Sequence, residues 1–159
     1  MDKLLQLLES DALLTPDKLA SMLQLKTDEV KKRIQKYQKD GVILGSRTII
    51  NHDKLGENRV QAVIEVRITP EREGGFDRTA ERIAKFNEVT NCFLTSGAYD
   101  LLIFVEGRTL QEVASFVSSK LSTLDRVQST ATHFMLKTYK AHGVMMSETA
   151  SEERMTVTP

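Results

Sequence analysis

Between Lys26 and Lys39, six cations (Lys26, Lys31, Lys32, Arg33, Lys36 and Lys39) stand against two anions, Asp28 and Glu29. Ammonium and guanidinium groups spaced by helical turns can neutralise neighbouring phosphates. An amide such as Gln35, or a short polar side chain such as Thr27 or Asp28, can meet the edge of a base. That chemistry is binding rather than bond making, and it needs one rigid element to present the groups together. Val30, Ile34 and Tyr37 recur at i, i+4 and i+7, which predicts a helix with those residues on one stripe. Lys32, Lys36 and Lys39 then fall on the opposite side with Gln35 beside them. Thr27 is expected to cap the helix. Asp28 and Glu29 suit its positive end, and Gly41 suits the left-handed position that closes it. Arg33 lies beside the apolar stripe, where it can hold the helix to its neighbours as well as touch a phosphate. Such a helix is either a solvated face or a recognition helix for the major groove of double-stranded DNA.

Bond-making chemistry finds little support. His52, His133 and His142 are scattered and share no metal-ligand spacing with Cys92 or with one another. The sequence has no phosphate-binding Gly-Lys-Ser/Thr loop and no Gly-x-Ser-x-Gly elbow. No catalytic residue, metal or cofactor is therefore assigned, and an enzyme is not expected. Cys92 is the only cysteine, so no intrachain disulfide can form. No apolar run reaches membrane-spanning length, and the N-terminus lacks the apolar region of a signal peptide. A cytoplasmic location without a membrane partner is the resulting expectation. The 159 residues carry 22 Lys and Arg against 22 Asp and Glu, a formal net charge of zero. That balance argues against indiscriminate polyanion binding, while leaving room for a local basic surface.

The elements around the basic helix give it a context. Leu4, Leu5, Leu7 and Leu8 mark a first helix, interrupted at Asp11-Ala12. Thr15-Pro16-Asp17 starts a second, with proline at the first helical position, where its missing N–H costs nothing. Leu19, Met22 and Leu23 are its expected buried stripe. Gln24-Leu25-Lys26 is a tight connection to the basic helix, and three short helices so joined are a helix-turn-helix. Val42–Ile50 reads as two short strands about a Gly45-Ser46 turn, a small wing with Arg47 near its tip. The expected organisation is a winged helix-turn-helix over 1–50, a polar linker over 51–59, a second domain over 60–141 and a tail over 142–159.

In the second domain, Ala62, Ile64, Val66 and Ile68 alternate along a strand closed by Pro70. Glu71 to Gly75 is a charged loop. Phe76, Ala80, Ile83 and Ala84 predict a helix. Val89–Thr95 and Tyr99–Glu106 predict strands about a Ser96-Gly97-Ala98 turn, the second carrying Leu101, Ile103 and Val105 on one face. Thr109 caps a helix bearing Leu110, Val113, Ala114, Val117 and Leu121, and Val127–Lys137 is a fourth strand. The order β-α-β-β-α-β is ferredoxin-like, so the chain is α+β. The helices would cover one sheet face. Val63, Leu102, Phe104, Phe134 and Leu136 are expected on the other, and a second copy of the chain is the simplest cover for it. An RNA-recognition module shares this order, but Tyr99–Phe104 lacks the basic-Gly-aromatic pattern of its third strand.

Two sets of residues carry a resemblance to a known family. Thr27-x-x-Val30-x-x-Arg33-Ile34-x-x-Tyr37-x-x-x-Gly41-Val42-Ile43, followed by Ile49-Ile50-Asn51-x-x-x-Leu55-Gly56, resembles the DNA-binding half of the Lrp/AsnC, or feast/famine, regulators. Thr95-Ser96-Gly97-Ala98-Tyr99-Asp100-Leu101-Leu102 and Val127-x-Ser129-Thr130-x-Thr132 resemble two stretches of that family's effector and oligomerisation domain. Leu13 stands where many relatives carry arginine, and Tyr37 replaces the usual leucine. The resemblance implies a transcription regulator that binds DNA through Thr27, Asp28, Lys31, Lys32, Arg33, Gln35, Lys36, Lys39 and Arg47. It implies a homodimer assembling to higher oligomers, toward an octamer. It also implies a small effector, usually an amino acid, held near Thr95, Gly97, Ala98, Tyr99, Asp100, Ser129, Thr130 and Thr132. There Gly97 would let backbone N–H groups approach a carboxylate, Asp100 would hold an ammonium, and the strand would supply hydroxyls. The competing expectation is an amino-acid sensor or assembly partner with weak or no specific DNA binding.

Overall fold

The computed structural model describes residues 2–57, 59–70 and 75–146. Most of the expected loop from Glu71 to Gly75, and the tail from Ser147, lie outside the described residues. The chain divides into two compact units between Ile49 and Ile50.

The first unit holds α1 (Lys3–Ser10), α2 (Pro16–Leu23) and α3 (Thr27–Lys39). Asp2 caps α1 by accepting the Leu4 N–H, and Thr15 caps α2 ahead of Pro16. Leu4, Leu19, Ala20 and Val30 form the buried centre, with Leu7, Leu8, Leu14, Leu23, Leu25, Ile34 and Tyr37 packed around it. Met22, expected inside, is 52% exposed, and Ala20 takes a buried place in its stead. A small side chain on that face of α2 lets a neighbouring helix come close. Gly41, with φ +70°, closes α3 as the sequence requires. The Val42 N–H returns to the Tyr37 carbonyl at 2.8 Å and the Gly41 N–H to Gln38 at 3.2 Å, so the last carbonyls are satisfied by a left-handed closing turn.

Two local expectations fail here. Thr27 does not cap α3. The cap position is Lys26, which has no side-chain cap bond, and Thr27 is already helical. Its hydroxyl instead donates to Asp17 Oδ1 at 2.8 Å, joining the starts of α2 and α3. The two strands expected over Val42–Ile50 are also absent, because no strand lies between α3 and α4. An isolated two-stranded ribbon is marginal without a surface to bury it, and Leu44, Ile49 and Ile50 remain exposed.

The second unit begins with α4 (His52–Leu55), inside the stretch read as linker. It continues through β1 (Val60–Ile68), α5 (Asp77–Ala84), β2 (Val89–Leu94), β3 (Leu101–Gly107), α6 (Leu110–Phe116) and β4 (Val127–Phe134). All ladders are antiparallel in the order β2-β3-β1-β4, which is the ferredoxin-like sheet. Ala62, Ile64, Val66 and Ile68 of β1 face Leu101, Ile103 and Val105 of β3 across the ladder. With Ile83, Val113, Phe116, Leu121 and Leu124 they make the main core. Leu110, expected in the stripe of α6, is 58% exposed, while Phe116 is buried and packs edge-on against Phe86. After Phe116 the helix widens into a π turn, Val117–Leu121, closed by the Ser122 N–H on the Val117 carbonyl. The extra residue in that turn carries Leu121 into the core.

On the uncovered face Val63, Leu102 and Phe104 stand in register with one another and with Phe93. Phe93 and Phe104 meet edge to face at 6.1 Å. Phe134 does not join them. It pairs with Ala62 and so belongs to the helix-covered side, and Leu136 lies beyond β4, 97% exposed. A short hairpin, β5 (Lys140–Ala141) with β6 (Val144–Met145), follows where no strand was expected.

Candidate nucleic-acid interface and effector region

Burial sorts α3 into two sides. Val30 is fully buried and Ile34 and Tyr37 are half-buried, whereas Asp28, Lys31, Lys32, Arg33, Gln35, Lys36 and Lys39 are exposed. The structure thus brings the expected DNA-facing side chains together on one element, apart from Thr27, which is half-buried and bonded to Asp17. Arg47 lies on the uncoiled segment after α3, also exposed. Arg33 is already engaged, its Nη2 donating to Glu29 Oε1 at 2.6 Å. Both partners are exposed, so the pair adds less than about 1 kcal/mol to stability, but it offsets one cation of the surface.

The loop between β2 and β3 is fixed by its own backbone. The Thr95 N–H donates to the Asp100 carbonyl at 2.8 Å, and the Thr95 hydroxyl reaches the carbonyls of Tyr99 and Asp100. At the tip Gly97 has φ +142°, a conformation that a Cβ strains, and nothing lies within 4 Å of where a Cβ would sit. Gly97 and Ala98 are exposed, and Tyr99 and Asp100 half-buried. Asp100 bridges to β1, its N–H donating to the Val66 carbonyl at 3.0 Å and its Oδ2 accepting the Ile68 N–H at 2.8 Å. The β1–β4 ladder slips between Arg67 and Ile68. Asp100 therefore supplies the acceptor for an amide beside a bulge, a structural duty that sequence spacing does not reveal.

The hydroxyls of β4 do not form one group. Ser129 pairs with Arg67 and lies on the uncovered face, exposed. Thr130 and Thr132 pair with Val66 and Ile64, so they lie on the helix-covered side and are half-buried. A strand presents successive side chains to opposite faces, so a single ligand on one face meets Ser129 or the two threonines. Sequence reading also passed over Arg67, the neighbour of Ser129, and His133, whose Nε2 lies 3.5 Å from Glu65 Oε1 on the uncovered face.

Two expected results follow. Asp100→Ala should cost about 1–3 kcal/mol by leaving the Ile68 N–H unpaired, whereas Asp100→Asn keeps an acceptor and should stay near wild-type stability. Equal denaturation midpoints for both variants would show that the bond to Ile68 contributes nothing. Cys92 is half-buried against the core with its Sγ 3.9 Å from the Ala80 carbonyl, and burial pushes its thiol above the ordinary value. Alkylation at mildly alkaline pH should therefore run well below the rate in denaturant, as followed by mass spectrometry.

The three helices of the first unit have the layout of a helix-turn-helix, and the second unit is a ferredoxin-like domain. A family model described as the Lrp/AsnC ligand binding domain matches residues 61–145. An uncharacterised HTH-type transcriptional regulator of Bacillus subtilis, YugG, is 40% identical over 99% of this chain and 95% of its own length. The regulatory protein AsnC of Haemophilus influenzae is 26% identical over 82% and 85%. Among solved structures, the leucine response regulatory protein of Mycobacterium tuberculosis superposes with a TM-score of 0.75 at 19% identity, covering 92% of this chain and all of that one. A Neisseria meningitidis regulator solved as a complex with L-Met gives 0.67 at 24%, covering 89% and 93%. The chain belongs to the Lrp/AsnC family of transcription regulators.

Proposed function

We propose that the protein binds specific DNA sites through α3 and changes its assembly, and hence its grip on DNA, when a small effector such as an amino acid binds. The observation that carries this reading is the sorting of α3 into a buried apolar stripe and an exposed basic face. Lys31, Lys32, Lys36, Lys39 and Arg47 neutralise phosphates and set register. Gln35 and Asp28 face the bases, and Arg33, tied to Glu29, contributes less charge. Thr27 serves chiefly by its bond to Asp17. The uncovered sheet face, with Val63, Phe93, Leu102 and Phe104, takes a second copy of the chain, and two α3 helices then read a pseudo-palindromic site. Such dimers assemble further, toward an octamer.

The effector reading rests on the loop Thr95–Asp100 with Ser129, or with Thr130 and Thr132 on the other face. It draws support from the Neisseria relative solved with L-Met. An effector at an interface shifts assembly only by its differential affinity for the two states, typically about 1–3 kcal/mol. One observation favours the rival reading of a sensor or assembly partner with little specific DNA binding: Asp28 and Glu29 are exposed in the first turn of α3, where acid repels phosphate. Capture of genomic fragments by the purified protein, with and without a pool of amino acids, separates the two. Enrichment of a few regions that changes with the pool is the expected result. Enrichment indifferent to the pool removes the effector from the proposal. No enrichment in either condition gives the rival reading the lead.

A further inference from the structure

Both ends of α3 are tied to other helices by side chains. At its start Thr27 donates to Asp17 of α2. Near its end the Tyr37 hydroxyl donates to Asp2 Oδ2 at 2.5 Å, across 35 residues of sequence. The same carboxylate caps α1, because its Oδ1 accepts the Leu4 N–H at 3.1 Å. The Tyr37 ring packs on the core of the unit while its hydroxyl reaches the cap. Chiefly through this bond the Asp2 carboxyl is held below its ordinary value and the Tyr37 hydroxyl above its own, and the nearby Arg33 guanidinium further favours the charged carboxylate. At neutral pH the donor is therefore protonated and the acceptor ionised. A leucine, which the family resemblance leads one to expect at this place, has no hydroxyl, so the bond depends on this chain's own Tyr37.

We infer that Asp2 and Tyr37 are positioning residues for DNA recognition: their bond sets the pitch of α3, and neither touches DNA. The inference rests on the reading of α3 as the DNA-binding helix. An ion pair between a lysine and a phosphate tolerates a few degrees of tilt. A hydrogen bond to a base edge weakens steeply as it bends. Thr27 pins the start of the helix through Asp17, so losing the clasp frees the half that carries Gln35, the base-facing amide. Specific binding then suffers more than non-specific binding, and the number of phosphates met stays the same.

The test compares wild type with Tyr37→Phe, with Asp2→Ser, where serine can still cap α1 but is too short to reach Tyr37, and with the double variant. Each is titrated against an operator fragment and an unrelated duplex over a range of salt, after circular dichroism has shown it folded at the assay temperature. Each single variant is expected to lower the ratio of operator to unrelated affinity by about threefold to tenfold, the scale of one ordinary intramolecular hydrogen bond. The salt slope should not change, and the double variant should lose no more than either single one. Fully additive losses, or equal weakening on both duplexes, would overturn the inference. So would an unchanged ratio in Tyr37→Phe when wild type prefers its operator, and in that case the clasp alone would fall. A wild-type protein with no preference for any fragment would remove the DNA reading itself, and the clasp's role with it.

Discussion

Alanine at both Lys32 and Lys36 is expected to weaken binding to every duplex and to flatten its dependence on salt. Each phosphate contact contributes about 0.9 to the slope of log affinity against log salt on B-form DNA, so the double variant should lose roughly 1.8 from that slope. Specific and unrelated sequences should be affected alike, because phosphates carry no sequence. Lys120 supplies the control. It is committed to Glu88 at 2.6 Å in the other unit, and Lys120→Ala should leave the slope as it was. The measurement is fluorescence anisotropy with a labelled duplex at several salt concentrations. An unaltered slope and affinity in the double variant would mean that α3 is not the DNA face.

Ile64→Ala should have the largest effect on stability. Ile64 lies mid-strand in β1, paired with Ile103 on one side and Thr132 on the other, and it is fully buried. Removing three carbons there leaves a hole that the crossed ladders cannot collapse into, at a cost of about 2–5 kcal/mol. A typical domain has only about 5–15 kcal/mol to lose. The denaturant midpoint should fall with little change in the slope of the transition. Val63→Ala, one residue away on the uncovered face, is the contrast. Its main effect should be on the protein concentration at which copies associate. Comparable losses of unfolding free energy in the two variants at low concentration would contradict the assignment of the two faces.

The parts of the fold that could be read from sequence were those fixed by local pattern. Ala62, Ile64, Val66 and Ile68 alternate strictly and are all buried. Gly41 and Thr109 announce helix ends by residue type alone, and both serve as expected. Where tertiary packing decides, the pattern misleads. Thr27 has the chemistry of a cap, but Asp17 draws its hydroxyl away. Val42–Ile50 has the composition of strands, but the described residues offer it no partner strand. Leu110 fits the stripe of a regular helix, but it is the first residue of α6 and is exposed, whereas Val113 and Phe116 further along are buried. The basic face of α3 was legible because it follows from helical period. The surroundings of Asp100 were not, because they depend on a slip in the register of two strands distant in sequence. The split of Ser129 from Thr130 and Thr132 was available from period two and only needed to be applied.

Asn51 follows the division between the units and does two jobs. Its carbonyl oxygen caps α4 at Lys54, and its amide donates to the Met146 carbonyl at 2.9 Å. The first residues of the second unit and the last described ones are thus within a hydrogen bond of each other. A fold whose entrance and exit coincide is one that can be lifted out, spliced into the loop of another protein, or cut and rejoined with its ends exchanged. In this chain the helical unit precedes such a module in sequence. A different segment can be joined ahead of Ile50 without any strand of the sheet being broken.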